Sequence, residues 1–355
     1  MKSMFLRQSY IDNHSDYERS LKKNKFKKWD YVILTASNEN QAEGFRAQIN
    51  ERLKAGLLPK QTHFAVIPDR DGKRVGSGGA TLGVIKYIAE HSGKNDFSGL
   101  RILVIHSGGD SKRVPQYSAL GKLFSPVPHK LNHGRSATLF DEFMMSMSSV
   151  PARIREGMVL LSGDVLLLFN PLQIDYSGIG AAAISFKEDV ETGKNHGVFL
   201  RGEDGCVEKF LHKQSVDSLT KFGAVNESGK VDIDTGAVIF SAEMLKSLNS
   251  LIDTEETFDK YVNDTVRLSL YGDFLYPLAT ESTLENFYKE KPEGSFCDEL
   301  KEARTAVWNA LRPYRMKLLR LSPAKFIHFG TTKEILELMS GGIESYKELG
   351  WKNHV

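Results

Sequence analysis

Short, unbroken apolar runs alternate with segments of helical period through the first half of this chain, and that alternation limits the fold more than any other feature. Residues 31–36 (YVILTA), 63–67, 101–106 (RILVIH) and 158–162 (MVLLS) read as strands. Residues 40–54 and 80–90 read as helices, the second with Leu82, Ile85, Ile88 and Ala89 on one face. Leu139, Phe140, Phe143, Met144 and Met147 mark a third amphipathic helix. A strand that is apolar at every position must be covered on both faces, and strands joined through helices pair in parallel. The pattern predicts an α/β chain with a mixed, mostly parallel sheet flanked by helices.

The second half mixes strand-like runs (181–186, 196–200, 207–211, 237–240) with helices at 242–250 and 258–268. Several of those runs lie close together, which predicts antiparallel pairing there. A helix over 298–311 and apolar runs at 317–321 and 326–329 follow, and the polar ending ESYKELGWKNHV caps nothing obvious. The five lysines of residues 22–28 read as the solvated face of an N-terminal helix.

Composition excludes whole classes of function. With 41% hydrophobic and 26% charged residues the chain is neither a disordered tail nor a fibre. The balance of 47 Lys and Arg against 45 Asp and Glu leaves +2, so no general nucleic-acid surface is signalled. Cys206 and Cys297 cannot build a disulfide framework and suit a reducing compartment. The N-terminus turns polar too early for a signal-peptide core, and the greasiest run, 158–169, is too short to span a bilayer. The expectation is a soluble, cytoplasmic protein with no nucleic-acid or membrane partner.

The stretch after the third strand, HSGGDSKRVPQYSALGKLFSPVP, carries the chemistry. A strand that breaks into Ser107-Gly108-Gly109-Asp110-Ser111 brings backbone N–H groups close to an anion, because glycine has no side chain to hold a phosphate away. Arg113 offers a bidentate fork to phosphate oxygens and Lys122 a mobile point charge; together they suit a di- or triphosphate. The stretch is not a P-loop, since Leu123 follows Lys122, and not a dinucleotide fingerprint, since Ser111 and Arg113 stand where glycine is required. Asp164 follows the apolar strand MVLLSG, at the end of a strand where open α/β sheets keep their ligands. A carboxylate among leucines is costly when unpaired, and a Mg²⁺ ion would relieve that cost.

These residues resemble the signature loop of sugar-1-phosphate nucleotidyltransferases, G-G-x-G-x-R followed by P-K and P-V. More closely, IHSGGDSKRVPQYSALGK, with TASNENQAEGF, GSGGATL, SGDVLLLF, KFLHKQS, DTGAVIF, YGDFLYPLA and FIHFGTTKEIL, resembles the L-fucose-1-phosphate guanylyltransferases, above all the N-terminal part of bifunctional fucokinase/fucose-1-phosphate guanylyltransferases. Ser111 stands in place of the third glycine and Gly121 in place of the proline before the lysine.

The resemblance implies a Rossmann-like (GT-A-like) nucleotidyltransferase domain over 1–297 and a helical and strand extension over 298–355. It further implies a natural chain that continues into a β-helix and a sugar kinase domain. The implied reaction joins GTP and L-fucose 1-phosphate into GDP-L-fucose and pyrophosphate with Mg²⁺, the alternatives being another sugar 1-phosphate such as mannose 1-phosphate, or a non-catalytic nucleotide-sugar-binding module. Arg113 and Lys122 would serve the triphosphate, Lys213 the sugar phosphate, and Lys187 the same task less directly. Gly76-Ser77-Gly78-Gly79, at the start of a helix whose free N–H groups favour an anion or a nucleobase edge, would lie near the nucleotide. Asp164 and Asp273 would hold Mg²⁺, with Asp234 as the runner-up, and Asp234-Thr235-Gly236 would meet the sugar. His196 and His129 read as ordinary polar positions, and no His/Cys group has zinc spacing.

Overall fold

The alternation is realised in the computed structural model, which describes residues 2–109, 114–117, 121–131, 134–340, 346 and 349–351. After helix α1 (Lys2–Lys22), strands β1 (Tyr31–Ala36), β2 (His63–Pro68) and β3 (Arg101–His106) are separated by α2 (Glu39–Lys54) and α3 (Gly76–Ser92). Strands β4 (Pro126–Lys130) and β5 (Ser136–Thr138) pair antiparallel and lead into α4 (Leu139–Ser146), followed by β6 (Gly157–Ser162) and β7 (Val165–Phe169). Next come β8 (Ala181–Asp189), α5 (Val190–Gly193), β9 (Gly197–Arg201), β10 (Val207–His212), α6 (Val216–Lys221) and β11 (Lys230–Phe240). The chain continues through α7 (Ala242–Asn249), α8 (Glu255–Tyr261), α9 (Leu284–Phe287), α10 (Asp298–Leu311), β12 (Met316–Arg320), β13 (Ala324–His328) and α11 (Thr332–Ser340).

Nine of these strands form one mixed sheet along the path β10-β9-β11-β6-β3-β1-β2, with β8 joining β11 to β12. β2, β1, β3 and β6 run parallel in continuous register, so all four release their loops at the same edge. The second half turns antiparallel, as its spacing predicts: β11 pairs antiparallel with β6, β8 and β9. The unbroken apolar character of β1 follows from burial on both sides. Val32 and Leu34 pack with Phe45 of α2 and Phe140 of α4, whereas Ile33 faces Leu82 and Ile85 of α3.

Two expectations about the chain's organisation are corrected. The helix predicted over 258–268 stops at Tyr261, because the Asn263 side chain accepts the N–H groups of Thr265 and Val266 and offers the backbone a turn in place of another helical bond. Beyond residue 298 the chain returns to the earlier strands: β12 pairs parallel with β8 inside the main sheet and β13 pairs with β7. The polar ending does cap something, since Trp351 is buried and donates its indole N–H to Tyr10 of α1 at 2.9 Å.

Candidate active site

Parallel pairing puts the ends of β1, β2, β3 and β6 on one rim, and the predicted loops collect there. At the end of β6, Gly163 passes so close to the His106 carbonyl that a Cβ would lie 2.7 Å from it. Only glycine therefore lets Asp164 stand beside the Ser107-Gly108 segment. Lys122 Nζ donates to Asp164 Oδ2 at 2.9 Å and Ser162 Oγ donates to Oδ1 at 2.6 Å. Burial would push the Asp164 carboxyl up, but the Lys122 ammonium and the Ser162 hydroxyl outweigh it and hold the group below the usual carboxylate range. The side chains of Lys122 and Asp164 keep 16% and 20% of their surface open, enough for a ligand to compete for the lysine. Gly121, before that lysine, has φ +71°, and its Cβ would meet Phe45 Cζ at 2.8 Å. That backbone is closed to proline, whose φ is fixed near −65°, so the lysine is set by a turn that requires glycine.

The C-terminal strands complete this centre. His328, the last residue of β13, lies 3.9 Å from Asp164 Oδ2 through Nε2 and shares a hydrogen bond with Glu334 through Nδ1 at 2.7 Å. The His328 and His196 rings are 6.0 Å apart, and the His196 carbonyl accepts the N–H of Lys213 at 2.9 Å. Burial first, then the charges of His328 and Lys213, push the His196 imidazolium down and favour its neutral form. Lys213 itself has φ +48°, an uncommon conformation for a non-glycine residue. The opposite wall is β11, whose register shifts between Asp234 and Val238. A bulge of this kind re-aims side chains; Asp234 is left with one bond, from the Gly236 N–H to Oδ1 at 2.9 Å, and none on Oδ2 among the described residues. Burial pushes its carboxyl up to about 6.

Beside this centre is a cleft of about 160 Å³ lined by Thr35 and Ser37, by Asp69 and Arg74, by Gly76 and Ser77, by His106, Gly108 and Gly109, and by Glu293. The two glycine segments thus share one cavity, but they use their glycines differently. Gly78 and Gly79 donate their N–H groups to the Leu268 carbonyl at 2.7 and 3.3 Å, and a Cβ on Gly76 would lie 2.3 Å from that oxygen. The helix-start N–H groups expected to meet an anion are therefore spent inside the protein; Gly76 and Ser77 face the cleft. Ser107 and Gly108 pack against the end of β1 through Thr35, while Gly109, at φ +107°, has no atom of the described residues within 4 Å of where a Cβ would sit. His106 bonds Thr35 and Thr81, and burial pushes its imidazole down to about 4, so it is neutral. Burial pushes the Asp69 carboxyl up to about 7, against the pull of Arg74.

A family model described as the fucose pyrophosphorylase domain matches residues 94–355. The chain belongs to the fucose pyrophosphorylase family. Over 347 residues it is 26% identical to the bifunctional fucokinase/GDP-fucose pyrophosphorylase of Arabidopsis thaliana, covering 88% of this chain and 32% of that one. It is 28% identical over 364 residues to the fucose-1-phosphate guanylyltransferase of Homo sapiens, covering 91% of this chain and 57% of the relative. The chain thus spans about a third to just over half of these curated relatives. Among solved structures, HddC from Yersinia pseudotuberculosis matches with a TM-score of 0.38 at 12% identity, over 91% of this chain and 80% of that one.

Within this fucose pyrophosphorylase domain the other predicted positions fall into three groups. Arg113, Asp110 and Ser111 lie outside the described residues. Asp273 is not at the rim: it is 1% exposed, takes the Arg304 Nε–H at 2.8 Å on Oδ1 and the Ser269 N–H at 2.6 Å on Oδ2, and has no free oxygen for an ion. Lys187 is tied to Asp232 at 3.1 Å beside Arg320, and the buried Thr235 hydroxyl donates to the Ile184 carbonyl at 2.6 Å. The structure adds Asp69, Arg74, His106, Glu293 and His328 to the predicted set. Asp69, Arg74 and Glu293 sit outside the glycine signatures and carry no local signal, whereas His106 opens HSGGDSKR and His328 stands in FIHFGTT, both resembling segments.

Proposed function

We propose that this domain transfers the guanylyl group of GTP to L-fucose 1-phosphate and releases pyrophosphate. One observation carries the reading: the Lys122–Asp164 pair, with His328, His196 and Lys213 around it, borders a glycine-lined cleft at one rim of the sheet. The family membership and the names of the relatives supply the sugar and the base. A sugar phosphate is already an anion at neutral pH, so the reaction needs no general base. Its oxygen forms a bond to the α-phosphorus while the bond from that phosphorus to the α–β bridging oxygen breaks, and the electron pair leaves with pyrophosphate. Two anions must meet, so positioning and charge neutralisation carry the rate. Lys122 leaves Asp164 for the triphosphate, Arg113 supports it, and Lys213 holds the sugar phosphate. Asp234, with an unbonded carboxylate oxygen, accepts a sugar hydroxyl.

A Mg²⁺ site fits the donor set, since Asp164 and Asp234 offer hard carboxylate oxygens and Asp164 draws two donors even in the free protein. Asp164 would hold the ion, with Asp234 as the second carboxylate only where it does not take the sugar hydroxyl; when bound, the ion would neutralise phosphate charge. For the base, guanine presents adjacent N1–H and N2–H₂ donors, an edge that a carboxylate accepts in pairs and that adenine lacks. Asp69 and Glu293 place that type of acceptor in the cleft. The test is pyrophosphate release from GTP with fucose 1-phosphate, run beside ATP, UTP and mannose 1-phosphate. Turnover restricted to GTP and fucose 1-phosphate supports the reading. Equal use of the others reduces it to a broader nucleotidyltransferase, and binding without release makes the domain a nucleotide-sugar-binding module.

A further inference from the structure

Away from the rim, three side chains that no sequence motif marks converge. His14 comes from α1, His129 from β4 and Glu142 from α4, and their ligand atoms all lie within 4.8 Å of one another. We propose that they bind a zinc-type divalent ion that ties these three elements together.

Both histidines approach the same buried carboxylate. His129 Nδ1 is 2.9 Å from Glu142 Oε1, and His14 Nε2 is 3.5 Å from Oε2. Zinc bonds of about 2.0–2.1 Å in a tetrahedron put neighbouring ligand atoms about 3.3–3.4 Å apart, so seating an ion between all three requires the set, now within 4.8 Å, to draw together around it. Among the described residues the buried His14 Nε2 atom has no hydrogen-bond partner, although a carboxylate oxygen is near. An ion supplies the partner that the protein withholds. Two imidazoles and one carboxylate are a recognised zinc donor set when a fourth position stays open. A small cavity of about 10 Å³, room for about one water, lies on the His14 and Glu142 side of the cluster, between Tyr10, Asn13 and Ser146 and an apolar wall of Leu6, Leu166 and Phe169. Glu142 is 1% exposed, and the Tyr10 hydroxyl donates to it at 3.0 Å while accepting from Trp351. Ligating carboxylates are commonly oriented by such outer hydrogen bonds.

The chain, stripped with a chelator and dialysed, is titrated with Zn²⁺ by calorimetry, with Co²⁺ absorption as a geometric probe. One equivalent is expected for the wild type, with a four-coordinate cobalt spectrum and a thermal midpoint that rises with free Zn²⁺. His14→Gln and His129→Gln, checked for wild-type far-UV circular dichroism, lose that equivalent. Tyr10→Phe keeps it with affinity lowered about 10- to 100-fold. X-ray absorption on the zinc-loaded wild type reports two imidazole nitrogens without relying on any variant. No uptake by the wild type, or one equivalent surviving in both glutamine variants, overturns the site and leaves a histidine–carboxylate ion pair.

Discussion

Two aspartates in this chain follow a glycine in matching local signatures, Ser162-Gly163-Asp164 and Tyr271-Gly272-Asp273, and both resemble metal ligands in the sequence. Asp164 ends up at the rim of a parallel sheet beside a lysine whose flexible stem holds it by one contact. Asp273 ends up against α10, where Arg304 is 1% exposed and its Nη1 is also held by the carbonyls of Phe287 and Glu290 at 3.0 and 2.9 Å. A compact ammonium on a long stem can be released to a phosphate; a guanidinium locked on carbonyls cannot. The same pair of residue types, acid and base, therefore makes a releasable pair in one region and a structural clasp in the other.

The comparison can be broken at either end. The largest effect is expected from Asp273→Ala, which leaves Arg304 buried and unpaired and costs about 3–5 kcal/mol of stability. Chemical denaturation measures it, and a loss under 1 kcal/mol would return Asp273 to the list of functional groups. Lys122→Ala should lower the rate of pyrophosphate release on the order of 10²–10³-fold with a thermal midpoint close to wild type; unchanged turnover removes the lysine from the centre. Asp164→Asn should raise the half-saturating Mg²⁺ concentration about 10- to 100-fold, and a titration curve that overlays the wild type rejects the role.

The smallest effect concerns the cleft. Asp69→Asn should raise KM for GTP by the equivalent of about 1–3 kcal/mol without reducing kcat. With the carboxyl pushed up to about 7, the group is neutral below that pH and an acceptor above it. Wild-type KM for GTP should therefore fall as pH rises from 6 to 8, more steeply than in Asp69→Asn. Parallel profiles would assign the whole dependence to the nucleotide's own phosphates.

Much of the frame was legible. β1, β3 and β6 show as apolar runs because both their faces are covered, and Asp164 and Lys122 stand out because an acid at a strand end and a lysine after a glycine turn are locally unusual. Other features were not. β11 is longer than its apolar stretch, since the bulge that turns Asp234 inward interrupts the pattern. The helix-start amides of Gly78 and Gly79 look free in a sequence and are taken by Leu268, a residue far along the chain. His14, His129 and Glu142 have no motif because no single element contains two of them.

By itself the sequence determined the alternation of strands and helices, the rim on which loops would gather, and the phosphate-directed residue types on that rim. Those are local properties, written in the spacing of apolar side chains and in where glycine is tolerated. Only the tertiary structure decided which acid meets a releasable lysine, which is locked to an arginine, and which histidines share a carboxylate. Such outcomes depend on partners brought together across the sheet, and burial changes what each group is worth only once those partners are in place.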